Sequence, residues 1–393
     1  MIATFPSQRE EKRLALLEAA ESIRGILQAG SEEAERIGTL PQDSVNALYD
    51  SGLLSFKMPE ELGGAEADLL TQIDVVEAVT RIDPAAGWCL MIGAASVANI
   101  TAFLSDEAIQ ELFVDGRPPT AAGAFSPSGK ATPVAGGFRV TGRWAFGSGV
   151  RHSQWISAGA WLEDNERPNS RQIRLVFPRT DATIHDNWKV MGLQGTGSCD
   201  YSVSNIFVPQ RFTWDVNDDK PRRGGPYFLL GRPGNVTTGH CAFALGVGRL
   251  ALDAIIDLAA SKARGYGSAA GLVAGRGSFQ RALGLCDLRL RAARALVVET
   301  LSEAWDSVCQ GVTPPGPLQA RMRATASFST EVAADVVSQA FRYGGGTALY
   351  QSHVLQRCLR DINAAAQHSM VSDSAYENHA KFALGLPDAD PMG

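Results

Sequence analysis

Hydrophobic positions along the chain follow three regimes. From residue 7 to about 115 apolar residues recur at three- and four-residue spacing. Leu14, Leu16, Leu17, Ala20, Ile23, Ile26 and Leu27 form one such stripe, as on a helix with one buried face. The segment Pro41-Gln-Asp-Ser-Val-Asn-Ala-Leu-Tyr-Asp-Ser-Gly52 predicts a short helix, with proline near its start and glycine past its end. Pro59-Glu-Glu-Leu-Gly-Gly64 predicts a turn and residues 69–81 a helix; Asp83-Pro84 opens another. That one, 85–103, is apolar all round and is predicted to be buried on every side. Around Pro118 the period changes. Short runs rich in Val, Ile, Phe, Trp and Thr, such as Gly137-Phe-Arg-Val-Thr-Gly142, Trp155-Ile-Ser-Ala-Gly-Ala-Trp161, Ile173-Arg-Leu-Val-Phe-Pro178 and Tyr201-Ser-Val-Ser-Asn-Ile-Phe-Val-Pro209, predict strands of a small barrel or sandwich. Residues 217–226 read as a linker or surface loop. From Val236 the helical period returns, with helices predicted at 239–263, 278–308, 318–343 and 353–384, enough for a bundle. The predicted class is α+β, mostly α: an N-terminal helical domain (1–117), a central β domain (118–226) and a C-terminal four-helix bundle (227–393).

Composition narrows the function classes. With 45% hydrophobic and 20% charged residues the chain reads as an ordinary globular protein, and its net charge of -6 argues against nucleic-acid binding. None of the six cysteines forms a C-x-x-C pair, so no metal site is signalled; their scatter through apolar stretches predicts buried free thiols in a reducing compartment. The N-terminus has no secretory pattern and no run reads as a membrane span, so the cytoplasm is the expected location. No G-x-G-x-x-G unit for a nicotinamide cofactor is apparent.

Several motifs stand in a fixed order: Pro59-Glu-Glu-Leu-Gly-Gly64, Asp83-Pro-Ala-Ala-Gly-Trp88, Gly123-Ala-Phe-Ser-Pro127, Gly142-Arg-Trp-Ala-Phe-Gly-Ser-Gly149, Gly192-Leu-Gln-Gly-Thr-Gly-Ser198 and Gln356-Arg-Cys-Leu-Arg-Asp361. Together they resemble the acyl-CoA dehydrogenase superfamily from Pro41 to Leu386, and within it the reduced-flavin-dependent monooxygenases, the oxygenase components of two-component aromatic hydroxylases. The resemblance implies a helical domain, a β domain and a helical bundle, and a homotetramer.

A dehydrogenase of this fold needs a carboxylate to remove an α-proton. By the resemblance its usual slot after Arg360-Asp361 falls at Ser369, and the alternative slot on the first bundle helix is also empty: no glutamate lies between Glu166 and Glu299. His368 stands beside the vacated slot. The resemblance therefore implies an oxygenase that uses FMNH2 or FADH2 from a separate NAD(P)H:flavin reductase and O2, through a C4a-hydroperoxyflavin, on a small phenol- or indole-like aromatic substrate. N- or S-oxygenation stays open. So do an acyl-CoA dehydrogenase with an unusual base and a catalytically inactive flavin-binding protein.

The same resemblance assigns residues. Ser148 meets flavin N5, and His368 takes a proton from the substrate or orients it. Phe125, Ser126, Pro127 and Trp144 contact the flavin ring, with β-domain core the competing role for Phe125 and Trp144. Gly195 and Thr196 lie in a loop that approaches the flavin. Arg276, Gln280 and Gly345 stand where relatives hold the flavin tail, FMN and FAD both being open. Trp88, His240 and Ser369 are placed at the substrate pocket, with core packing the equal alternative for Trp88; His353 and His379 have weaker claims, His379 from a shared helix face with His368.

Overall fold

The computed structural model describes residues 5–163, 171–216, 220–265 and 271–392. In chain order the helices are α1 (Arg9–Ser22), α2 (Arg24–Ile37), α3 (Gln42–Asp50), α4 (Leu69–Ile82), α5 (Pro84–Phe103), α6 (Asp106–Leu112), α7 (Gly234–Ser261), α8 (Gly277–Cys309), α9 (Gly316–Gly344), α10 (Val354–Ala365) and α11 (Ser374–Ala383). The strands are β1 (Ala121–Val134), β2 (Gly137–Gly147), β3 (Trp155–Leu162), β4 (Gln172–Pro178), β5 (Thr183–Ile184), β6 (Cys199–Pro209), β7 (Thr213–Asp215), β8 (Ala263–Arg264) and β9 (Gly271–Leu272). The predicted loop at 217–226 begins with three residues that lie outside the described ones.

The chain divides into two compact units. One takes in the described parts of Met1–Asp68, Trp88–Val190 and Gln194–Leu229; the other those of Leu69–Gly87, Met191–Leu193 and Leu230–Gly393.

The first unit is built on a single seven-stranded sheet, in the order β5-β6-β2-β1-β3-β4-β7. All pairs are antiparallel except β1 with β3. The sheet curls enough to bring Trp144 of β2 within 6.3 Å of Phe177 of β4, ring centre to ring centre. Val97 and Ile100 of α5, and Leu104 just after it, join Trp144, Tyr201 and Phe177 in one core. α5 is 20 residues long with a mean hydropathy of 1.5 over its most apolar stretch, enough to cross a bilayer by length and composition alone. The protein itself buries 78% of that stretch, which makes it a core helix. α1 and α2 are two helices where the apolar stripe predicts one; the break falls at Ile23, which leaves the helical region at φ -97° and ψ 2°.

The second unit packs α7 against α4, α8, α9 and α10. From α8, Arg294 reaches Asp74 at 2.5 Å and Glu77 at 3.1 Å on α4, and Arg249 of α7 bridges to Asp287 of α8 at 2.8 Å. The predicted helix 353–384 is not continuous. It ends at Ala365, passes through a single 3-10 turn at Ser369–Val371 and restarts as α11. His379 therefore shares no helix with His368. Five of the six cysteines are buried free thiols, and Cys309, at the end of α8, is exposed.

Candidate functional site

In the first unit the chemistry gathers at the end of β2. The strand closes with Gly147 opposite Cys199 of β6, and the chain then turns sharply: Phe146 has φ +62° and Gly149 φ +73°. The turn is tied to the 194–198 loop by the Gly149 amide, which donates to the Thr196 carbonyl at 3.0 Å. This leaves Ser148 7% exposed, in a polar chain. Trp88 Nε1–H donates to Ser148 Oγ at 3.0 Å; Ser148 Oγ is 2.8 Å from Ser198 Oγ, which is 2.7 Å from Thr196 Oγ1. Ser148, Gly149, Cys89, Leu54 and His152 border a cavity of about 20 Å³, the size of one water molecule. Burial pushes the His152 imidazole down to about 4, so the ring is neutral at physiological pH.

The other positions expected at the flavin ring separate into a surface group and a core group. Phe125 is 40% exposed, with the Arg174 guanidinium 4.7 Å from its ring centre. Ser126 is exposed, 3.1 Å from Ser128 Oγ, and Pro127 is half-buried. Gly195 and Thr196 are buried in the loop beside Ser148. Trp144 has no exposed surface; it stacks on Tyr201 at 5.4 Å and donates to the Gly159 carbonyl at 2.8 Å. A ring with every face covered offers nothing to a ligand, so Trp144 takes the core role of the two expected for it.

In the second unit His368 lies outside any helix, in extended conformation, capping the turn that follows. Its Nδ1 accepts the Met370 amide at 3.2 Å, which places the proton of the neutral ring on Nε2. Burial lowers its pKa. The His240 ring, buried in the second turn of α7, lies 4.3 Å from that of His368, centre to centre. Ser369 is exposed. The loop is held by Arg323 of α9, which donates to the Ser369 carbonyl at 3.0 Å, to Ser374 Oγ at 3.0 Å and to the Met392 carbonyl at 2.5 Å.

The Gln356-to-Asp361 motif proves to be a bracket. Asp361 accepts the Leu193 amide at 2.6 Å, and Arg360 donates to Gln356 Oε1 at 2.7 Å and to the Met191 carbonyl at 2.9 Å. Between them Gly192 lies so close to α10 that a Cβ would sit 2.1 Å from the Arg360 carbonyl oxygen.

At the end of α9, Gly345 turns the chain at φ +53°. The Lys262 ammonium donates to the Gly344 carbonyl and to Thr347 Oγ1, and a Cβ at Gly345 would lie 3.6 Å from it and 3.7 Å from Arg264. Arg276 donates to the Arg264 carbonyl, and Gln280 donates to the Ala274 carbonyl at 3.0 Å. Burial, and then the Arg264 charge, lower the Lys262 pKa. Lys262 and Arg264 beside the Gly345 turn are a chemical match for a phosphate, and the Ser148 hydroxyl is a match for a single nitrogen of a ring edge. The residues present fit a flavin.

Sequence reasoning missed Ser198, His152, Arg323, Lys262 and Arg264. Ser198 closes the glycine motif already noted, and Lys262 and Arg264 flank the end of a predicted helix; Arg323 has no local signal.

The acyl-CoA dehydrogenase N-terminal domain family matches residues 9–115 and its C-terminal domain family residues 238–373, together more than half of the chain. Indole-3-acetate monooxygenase of Pseudomonas putida is 28% identical over 353 residues, covering 90% of this chain and 89% of its own. The oxygenase subunit HsaA of a flavin-dependent monooxygenase from Rhodococcus jostii is 26% identical over 385 residues, covering 96% and 100%. The solved structure of XiaF from Streptomyces sp. in complex with FADH2 and glycerol superposes with a TM-score of 0.88 at 23% identity, over 98% of each chain. The chain thus belongs to the acyl-CoA dehydrogenase superfamily, and it is similar over nearly its whole length to flavin-dependent monooxygenases.

Proposed function

We propose that this protein is the oxygenase component of a two-component flavin-dependent monooxygenase that hydroxylates a small aromatic molecule. The observation that carries the reading is the loop after α10. Where a dehydrogenase of this family needs a carboxylate, Ser369 stands on the surface, and the nearby functional groups are two imidazoles 4.3 Å apart. A serine hydroxyl without an activating partner takes no proton at neutral pH, so the carboxylate that removes an α-proton in a dehydrogenase has no counterpart at Ser369. The full-length similarity to monooxygenases supports the same reading.

Bound reduced flavin, FMN or FAD, supplies the two electrons with which one oxygen atom enters the substrate and the other leaves as water. The chain's own residues do the rest. Ser148 meets the N5 edge. Lys262, Arg264 and Arg276 neutralise phosphate. His368 turns its Nε2–H towards a polar group of the substrate and orients it, with His240 fixing the ring, and Trp88 holds the Ser148 hydroxyl by its indole N–H. A separate reductase delivers the flavin. The molecule works as a homotetramer, in a reducing compartment such as the cytoplasm that keeps its six cysteines as thiols.

The test is rapid mixing. Protein loaded anaerobically with reduced FMN or FAD is mixed with oxygenated buffer, and the return of oxidised-flavin absorbance is followed. A lag of seconds or more, absent for free flavin, is the expected result. Return as fast as for free flavin, with either cofactor, would sink the proposal.

A further inference from the structure

We propose that Arg323 is a positioning residue that fixes the tautomer of His368, acting through the single peptide group between Ser369 and Met370. The use of that tautomer rests on the reading that His368 orients the substrate.

The peptide group between Ser369 and Met370 has one acceptor, the Ser369 carbonyl, and one donor, the Met370 amide. In a trans peptide the two are coplanar and point in opposite directions. Both ends are engaged. The carbonyl accepts from Arg323 Nη2 at 3.0 Å and from Ser372 Oγ at 3.0 Å, which uses both of its lone pairs. The amide donates to His368 Nδ1 at 3.2 Å. Turning the group to break one end breaks the other as well, so whatever holds the carbonyl also aims the amide at the imidazole.

Arg323 is itself held from two directions. It lies on α9 and is 5% exposed. Nη2 also donates to Ser374 Oγ at 3.0 Å, and Nη1 donates to the Met392 carbonyl at 2.5 Å. Two stretches of chain that follow His368 thus share one planar guanidinium, and the plane fixes where Nη2 points. Its hydrogen-bond partners among the described residues are all neutral carbonyls and hydroxyls, so none of them cancels its charge.

A cation at the oxygen end of a peptide polarises it and makes its N–H a stronger donor. The imidazole meets that donor with the nitrogen that carries a lone pair, and its proton stays on Nε2. The other tautomer sets an Nδ1–H against the amide N–H, two donors with no acceptor between them. The Arg323 charge therefore favours the form that keeps Nε2–H free for the substrate. A neutral residue at 323 leaves that choice to the amide alone.

The experiment reads the tautomer directly, with neither flavin nor substrate present. The full chain is isotope-labelled at its histidine ring nitrogens and studied by nitrogen NMR, in which protonated and unprotonated ring nitrogens resolve. The His368 signals are identified by their loss in His368→Gln. The wild-type ring is expected to carry its proton on Nε2. Arg323→Met is expected to lower the ratio of Nε2–H to Nδ1–H about tenfold. Arg323→Gln, which keeps an N–H without the charge, moves the ratio in the same direction and serves if Arg323→Met does not fold. Arg323→Lys, which keeps the charge, retains the wild-type ratio. His152 and His185, which belong to the other compact unit, keep their signals in all three variants, which separates a change of tautomer from a loss of fold. A wild-type proton on Nδ1, or neutral variants within about twofold of the wild-type ratio, would overturn the relay and leave the oxygenase reading standing. A failed rapid-mixing test would remove the use of the tautomer and leave its control by Arg323 intact.

Discussion

Ser148 and His152 stand four residues apart on the same turn, and they meet their surroundings in different ways. Ser148 has the Trp88 indole and the Ser198 hydroxyl within hydrogen-bond distance; His152 is held neutral by burial, with Thr39 Oγ1 3.5 Å from its Nδ1. The folded ring gains a proton only near pH 4, whereas in the unfolded chain it does so near pH 6.5. Between those values the unfolded chain binds the extra proton, so stability is complete above pH 6.5 and falls as the pH drops towards 4. Replacing the ring with one that cannot titrate, as in His152→Phe, should flatten that part of the curve of melting temperature against pH. The difference amounts to at most about 3 kcal/mol at pH 4; an unchanged slope would show that other groups govern acid unfolding. Ser148 itself was legible through the resemblance of its strand. Its partners were not: Trp88 and Ser198 lie 60 and 50 residues away in sequence, and no local pattern announces a contact that only the folded sheet creates.

At the scale of elements, periodicity served well where packing is regular. α8 and α9 fall within two residues of the helices expected at 278–308 and 318–343. It failed at 353–384 because the break contains neither glycine nor proline. What stops the helix is polar and partly distant: His368 caps the next turn with its own ring, and Arg323 satisfies the carbonyl and hydroxyl groups that the loop exposes. Ser369, Ser372, Asp373 and Ser374 were the readable clue, since such residues compete with helix hydrogen bonds. The bracket between α10 and residues 191–193 has its own test. Gly192→Ala forces a methyl group to within 2.1 Å of the Arg360 carbonyl, backbone that cannot swing aside. A loss of about 2 kcal/mol or more is expected in urea unfolding; a wild-type midpoint would show that the contact is loose.

Across the whole molecule, compactness joins α4 to the helices of the second unit although more than 150 residues separate it from α7. Hydrophobic spacing along a chain shows that a helix has a buried face without saying which later helix will cover it, so this grouping was beyond the sequence. α8 also keeps apolar surface uncovered: Leu285 and Leu288, three residues apart on one helix face, are 50% and 65% exposed. In the proposed homotetramer a second copy covers them. Leu285→Asp combined with Leu288→Asp should therefore lower the mass seen by light scattering while the helical circular dichroism stays intact. Retention of the full mass would place the interface elsewhere.

α5 has a further consequence, one that concerns the making of the protein rather than its work. In the finished fold 78% of its most apolar stretch is buried, and Val97 and Ile100 share a core with the sheet, whose strands run from Ala121 to Asp215. On the ribosome those strands do not yet exist when α5 emerges. At ordinary rates of synthesis the gap lasts roughly ten seconds, during which a 20-residue segment of membrane-like hydropathy is presented to whatever is nearby. Until the strands whose residues share its core have been made, α5 has that apolar surface uncovered.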